Sequence, residues 1–114
     1  MRTDMDSKTP GDTTKARNIA LPVDPQWTVE ELGELLSSCA DELGLIETHV
    51  TTLSKKKYPG NRHWHYKQIE LGPGCLDVTH WPGGGSVWIT VRNREPRWVH
   101  DAGDQLAAAL SGKL

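Results

Sequence analysis

The sequence predicts an α+β two-layer sandwich, a four-stranded antiparallel sheet with two helices on one face, in the order α-β-β-β-β-α. Three observations carry this. Val29, Leu32, Leu35, Leu36, Cys39 and Leu43 recur at helical spacing and make one apolar stripe. Val99, Ala102, Leu106, Ala109 and Leu110 make a second. Between them, residues 62–92 read as three period-two strands joined by two glycine-proline turns. Helices flanking a run of antiparallel strands bury their stripes against the sheet's apolar face.

Each element has its own warrant. Residues 1–18 are polar, hold a proline and a glycine, and read as a disordered tail. A single domain then runs over residues 19–114. Residues 19–26 (IALPVDPQ) read as an extended lead-in that packs against it. Thr28 followed by Glu31 is a capping box, and Trp27 and Leu32 are placed for a hydrophobic staple. Gly44 ends the first helix. Residues 45–53 (LIETHVTTL) are rich in β-branched side chains and form the first strand; residues 54–61 (SKKKYPGN) form a basic loop. A loop at residues 82–85 (PGGG) pairs Trp81 with Ser86, His80 with Val87, Thr79 with Trp88 and Val78 with Ile89. A turn at Gly72-Pro73 pairs Ile69 with Leu76, Tyr66 with Thr79, His65 with His80 and Trp64 with Trp81. Gly103 weakens the last helix by about 1 kcal/mol relative to alanine, and Gly112 ends it.

Composition narrows the function classes. The chain has 114 residues, no phenylalanine and a net charge of −2, without the basic excess of a strong nucleic-acid binder. Its two cysteines, Cys39 and Cys75, lack disulfide or metal-motif spacing and read as small buried apolar groups. No apolar run approaches a membrane span, and no secretory leader opens the chain, so a cytoplasmic location is expected. There is no nucleophile elbow, no phosphate-binding glycine fingerprint and no HExxH, so no enzymatic activity is expected.

In this register Trp64, Tyr66, Trp81 and Trp88 share the face away from the helices, with Arg92 beside them. Exposed aromatic surface of that size marks a contact site. It points to a protein partner or to a second copy of the chain. The same aromatics, with Lys55, Lys56, Lys57 and Arg94 as phosphate contacts, are the alternative of a single-stranded nucleic-acid surface. A third reading starts from the HxH pair His63 and His65. With His80 placed opposite His65, three imidazoles reach zinc-binding distance, while Asp77 falls on the other face. Zinc is the one cofactor this suggests.

The segments HWHYKQ, GCLDVTHWPGGGSVWITV and RNREPRWV resemble a family of small uncharacterised bacterial proteins. The likeness covers residues 62–99 and implies a shared fold and a bacterial source, and it carries no activity or site residues. The helix-strands-helix order also has a loose topological likeness to the double-stranded RNA-binding domain. That family's lysine cluster at the start of its last helix is replaced here by Trp98, Val99, His100 and Asp101. The sequence therefore predicts a small non-enzymatic binding protein using Trp64, Tyr66, Trp81, Trp88 and Arg92.

Overall fold

In the computed structural model, which describes residues 15–114, the chain forms β1 (Arg17–Pro22), α1 (Val29–Glu42), β2 (Ile46–Thr51), β3 (Arg62–Lys67), β4 (Leu76–Trp81), β5 (Ser86–Val91) and α2 (Arg97–Ser111). The α+β class holds. The sheet, however, has five antiparallel strands rather than four, in the order β1-β5-β4-β3-β2. The added strand is the segment read as a lead-in. Ile19 pairs with Ile89 and Leu21 with Val87, so its alternate apolar residues extend the face that the helices cover. Pro22 is tolerated because β1 is an edge strand. β1 begins at Arg17, inside the stretch expected to be a tail; residues 1–14 of that stretch lie outside the described residues.

The helices follow their sequence signals. The Thr28 hydroxyl accepts from the Glu31 amide at 3.0 Å, and the Glu31 carboxylate accepts from the Thr28 amide at 3.0 Å, closing the capping box. α1 buries Leu32, Leu36, Cys39 and Ala40. α2 buries Val99, Ala102, Leu106 and Leu110. Gly103 belongs to this face: a methyl there would meet Val91 at 3.3 Å and Leu76 at 3.4 Å, so its absence lets α2 lie close on β4 and β5. No helix among the described residues is long and apolar enough to cross a membrane.

The β4–β5 hairpin has the register read from sequence, with Trp81 opposite Ser86, Thr79 opposite Trp88 and Val78 opposite Ile89. The β3–β4 pairing does not. Trp64 lies opposite Val78, His65 opposite Asp77 and Tyr66 opposite Leu76, three residues from the predicted register. An odd shift exchanges the two faces of a strand. The cause is the connection. Instead of a two-residue turn it runs through residues 68–75, with a 3-10 turn at Ile69–Leu71 and with Gly72 and Gly74 at φ of 88° and 128°. Trp64 and Tyr66 are consequently core residues, 3% and 1% exposed. The magnitudes favour this arrangement. Covering a large aromatic removes about 150–250 Å² from water, worth about 4 kcal/mol or more by area. A preferred turn residue contributes only about 0.4–1 kcal/mol. The Trp64 indole lies against Gly33 of α1, its Cζ2 3.4 Å from where a Cβ would stand.

His80 shares this interior face. It is fully buried, pairs with Val87 across β4–β5, and neither ring nitrogen has a hydrogen-bond partner among the described residues. Burial pushes its pKa down to about 4. It cannot join His63 and His65, which point to the other side of the sheet.

Two outcomes follow from these placements. Trp64→Ala should lower stability by about 3–5 kcal/mol in chemical denaturation, the usual range for a buried large aromatic; a loss under about 1 kcal/mol would return Trp64 to the surface. His80 sets a pH dependence. Its folded pKa lies below the unfolded value near 6.5, so the unfolded chain binds more protons between the two values. Stability should therefore fall as pH drops from about 6.5 toward about 4, by up to about 3 kcal/mol from this group. His80→Leu should remove that part of the slope in chelator-treated protein. Parallel pH profiles for the two proteins would contradict it.

Candidate metal site on the polar face of the sheet

Period-two alternation that sends Trp64 and Tyr66 inward sends His63 and His65 outward. Across the strand pair, His63 faces Thr79 and His65 faces Asp77. On the other side, β2 brings Thr51 opposite His63 and His49 opposite His65 after a register shift between Glu47 and His49. The centre of the polar face is therefore two histidines from β3 and one carboxylate from β4, with a third imidazole at the rim. His49 and His65 rings stand 5.7 Å apart, and His63 and His65 rings 4.7 Å apart.

The ligating atoms of His63, His65 and Asp77 all lie within 4.8 Å of one another. His65 Nδ1 is 3.0 Å from Asp77 Oδ1, and His63 Nε2 is 3.8 Å from Asp77 Oδ2. His63 Nδ1 is held by the buried Thr79 hydroxyl at 2.6 Å, which turns the opposite ring nitrogen toward Asp77. Burial holds the His63 imidazole below its usual range against the pull of Asp77, favouring the neutral ring with a free lone pair. Asp77 is 5% exposed, and Arg92 reaches its carboxylate at 3.6 Å.

Cys75 enters from the strand's leading end. Its Sγ is 3.5 Å from His65 Nδ1 and 3.4 Å from Asp77 Oδ1. Its amide donates to Glu95 Oε1 at 3.2 Å, and Glu95 in turn accepts from Arg92 at 3.2 and 3.3 Å. Burial, then the Asp77 carboxylate, push the Cys75 thiol up to about 11.

The aromatic face is smaller than predicted. Of the four aromatics expected there, Trp81 and Trp88 remain, half-buried. Tyr58 covers both, with ring centroids 5.1 Å and 5.4 Å away. Asn61 fixes that lid: its side chain bonds both backbone groups of Leu53 and the Tyr58 carbonyl. Lys55, Lys56 and Lys57 are exposed on the same loop, Lys57 Nζ lying 5.7 Å from the Tyr58 ring centre. Arg92 and Arg94 lie beyond the far end of β5, at the opposite end of the hairpin from this loop.

Sequence reasoning found His63 and His65 and missed Asp77, Cys75 and Thr79 as their neighbours. The signal was present as two period-two pairs, His63-x-His65 and Cys75-x-Asp77. Only the register decides whether such pairs meet. No protein-family model and no curated protein matches the chain.

Tyr58→Ala should uncover the indoles of Trp81 and Trp88. Each aromatic pair is worth about 0.5–1.5 kcal/mol, so stability should fall by about 1–3 kcal/mol for the two pairs, with red-shifted and more readily quenched tryptophan emission. Unchanged emission would mean that Tyr58 does not shield them.

Proposed function

We propose that this protein binds a divalent transition-metal ion through His63, His65 and Asp77. The observation that carries the reading is the convergence of three metal-type donors from adjacent strands on one largely buried spot. Nitrogen donors favour zinc and its first-row neighbours over magnesium or calcium, which take oxygen shells. The Thr79 hydroxyl on His63 Nδ1 supports the reading further, since ligating imidazoles have their second nitrogen fixed by an outer partner.

The alternative surfaces have less support. Trp64 and Tyr66 are inside, and Tyr58 lies over Trp81 and Trp88, which reduces the area offered to a protein partner or a second copy. For a nucleic-acid strand, the lysine loop and Arg94 stand at opposite ends of the hairpin, and the stacking platform between them is covered.

Zinc titration of metal-free, tag-free protein, followed by calorimetry and elemental analysis, tests the proposal. One equivalent should bind. His65→Ala and Asp77→Asn should abolish measurable uptake, and Thr79→Val should weaken it about 10–100-fold. His80→Leu, on the other face, should bind as the parent does. A parent protein that takes up no zinc, or loses it equally with His80, would sink the reading.

A further inference from the structure

Two imidazoles and one carboxylate alone would leave a bound cation with open positions, the arrangement of metals that activate small molecules. From the position of its sulfur we infer that Cys75 is a fourth donor, which closes the site and makes it a thiolate centre for a zinc-type cation. This rests on the metal reading above.

Distances are the first argument. With metal–ligand bonds of about 2.0–2.3 Å, neighbouring donors of a tetrahedral site stand about 3.3–3.8 Å apart. Cys75 Sγ lies 3.5 Å from His65 Nδ1 and 3.4 Å from Asp77 Oδ1, within that range of two of the three donors; it stands outside the set of His63, His65 and Asp77 atoms that lie within 4.8 Å of one another, so completing the shell takes a rotation of the Cys75 side chain. Only the 3.0 Å contact of His65 with Asp77 is shorter, as suits a direct hydrogen bond between them.

Direction is the second. In a cysteine-histidine-aspartate catalytic relay, sulfur and carboxylate contact opposite nitrogens of the imidazole, so that a proton passes across the ring. Here both converge on the same nitrogen, His65 Nδ1. Convergence on one point is what ligands do around a shared cation.

The third argument is how Cys75 is held. Glu95, a buried carboxylate, accepts its amide, and Arg92 holds Glu95. Cys39, by contrast, is buried in α1 among apolar neighbours. Charge agrees as well. A divalent cation with the Asp77 carboxylate and a Cys75 thiolate is neutral; beside it Arg92 is paired with Glu95, and Lys67 donates to the Gly74 carbonyl. On binding, the S–H bond breaks, a metal–sulfur bond forms, and the proton leaves to solvent with no change of oxidation state.

Cobalt(II) titration of metal-free, tag-free full-length chain, parent and Cys75→Ser, tests this. The parent should show intense visible bands of four-coordinate cobalt and a near-ultraviolet sulfur-to-cobalt charge-transfer band. Cys75→Ser should keep cobalt uptake, weakened at least 10-fold, and lose the charge-transfer band. Cobalt bound with the same spectrum in both proteins would overturn the role of Cys75 and leave the three-donor site standing. No uptake by either would overturn both readings. A measurement on the parent alone guards against a variant that fails to fold: saturating zinc should block alkylation of Cys75, read by mass spectrometry, with buried Cys39 unlabelled throughout. Equal labelling of Cys75 with and without zinc would refute its ligation.

Discussion

Trp64 sits opposite Val78, and most of this molecule follows from that one pairing. It commits the odd-numbered residues of β3 to one side of the sheet and the even-numbered ones to the other. Trp64 and Tyr66 go under the helices, where α1 offers Gly33 as a seat for the indole. His63 and His65 are then carried to the polar side without any interaction of their own having to place them. Slipping the strand by one residue would expose two large aromatics and bury two imidazoles, a loss on both counts. The core therefore positions the site: hydrophobic burial on one face is what brings histidines from β3 and a carboxylate from β4 into register on the other.

What could be read from the chain beforehand divides along the same line. The capping box of Thr28 and Glu31, the two helical stripes and the β4–β5 hairpin depend on residues a few positions apart, and local chemistry decides them. β1 and the β3–β4 register depend on distant partners. Ile19 and Leu21 look like a lead-in because two nearby prolines break the strand pattern; they become a strand only because β5 presents a free edge with Val87 and Ile89 opposite. The glycine-proline sequence at residues 72–73 suggests a tight turn. The actual connection is longer because Gly72 and Gly74 both adopt left-handed φ and because Gly74 packs under Pro96, Trp98 and Val99. None of those three neighbours is local to the turn. The histidine cluster was half legible for the same reason: its members are visible in sequence, and their meeting is a tertiary fact.

The histidines show how environment, rather than residue type, separates packing from chemistry. His80 lies between Arg62 and Val87 on the interior face and has no partner for either nitrogen among the described residues, so burial favours its neutral form. His63 is also largely buried, yet each of its nitrogens meets a polar atom: Thr79 on one side, Asp77 on the other. Only the Thr79 contact is of hydrogen-bond length, so that bond is what satisfies the His63 ring and fixes its orientation.

Asp77 and Glu95 press the point further. Both carboxylates are buried, and Arg92 is the cation that reaches each of them. Two further groups stand at this corner: Lys67, which acts on the Cys75 thiol and donates to the Gly74 carbonyl at 2.8 Å, and His65, 3.0 Å from Asp77. His63 adds little positive charge here, since burial holds its imidazole below the usual range. Burial, then Asp77, push the Cys75 thiol up, while Arg92 and Lys67 oppose that shift. The corner thus gathers two carboxylates, their cations and two imidazoles on one largely buried patch of the sheet, and that grouping is what the proposed cation site rests on.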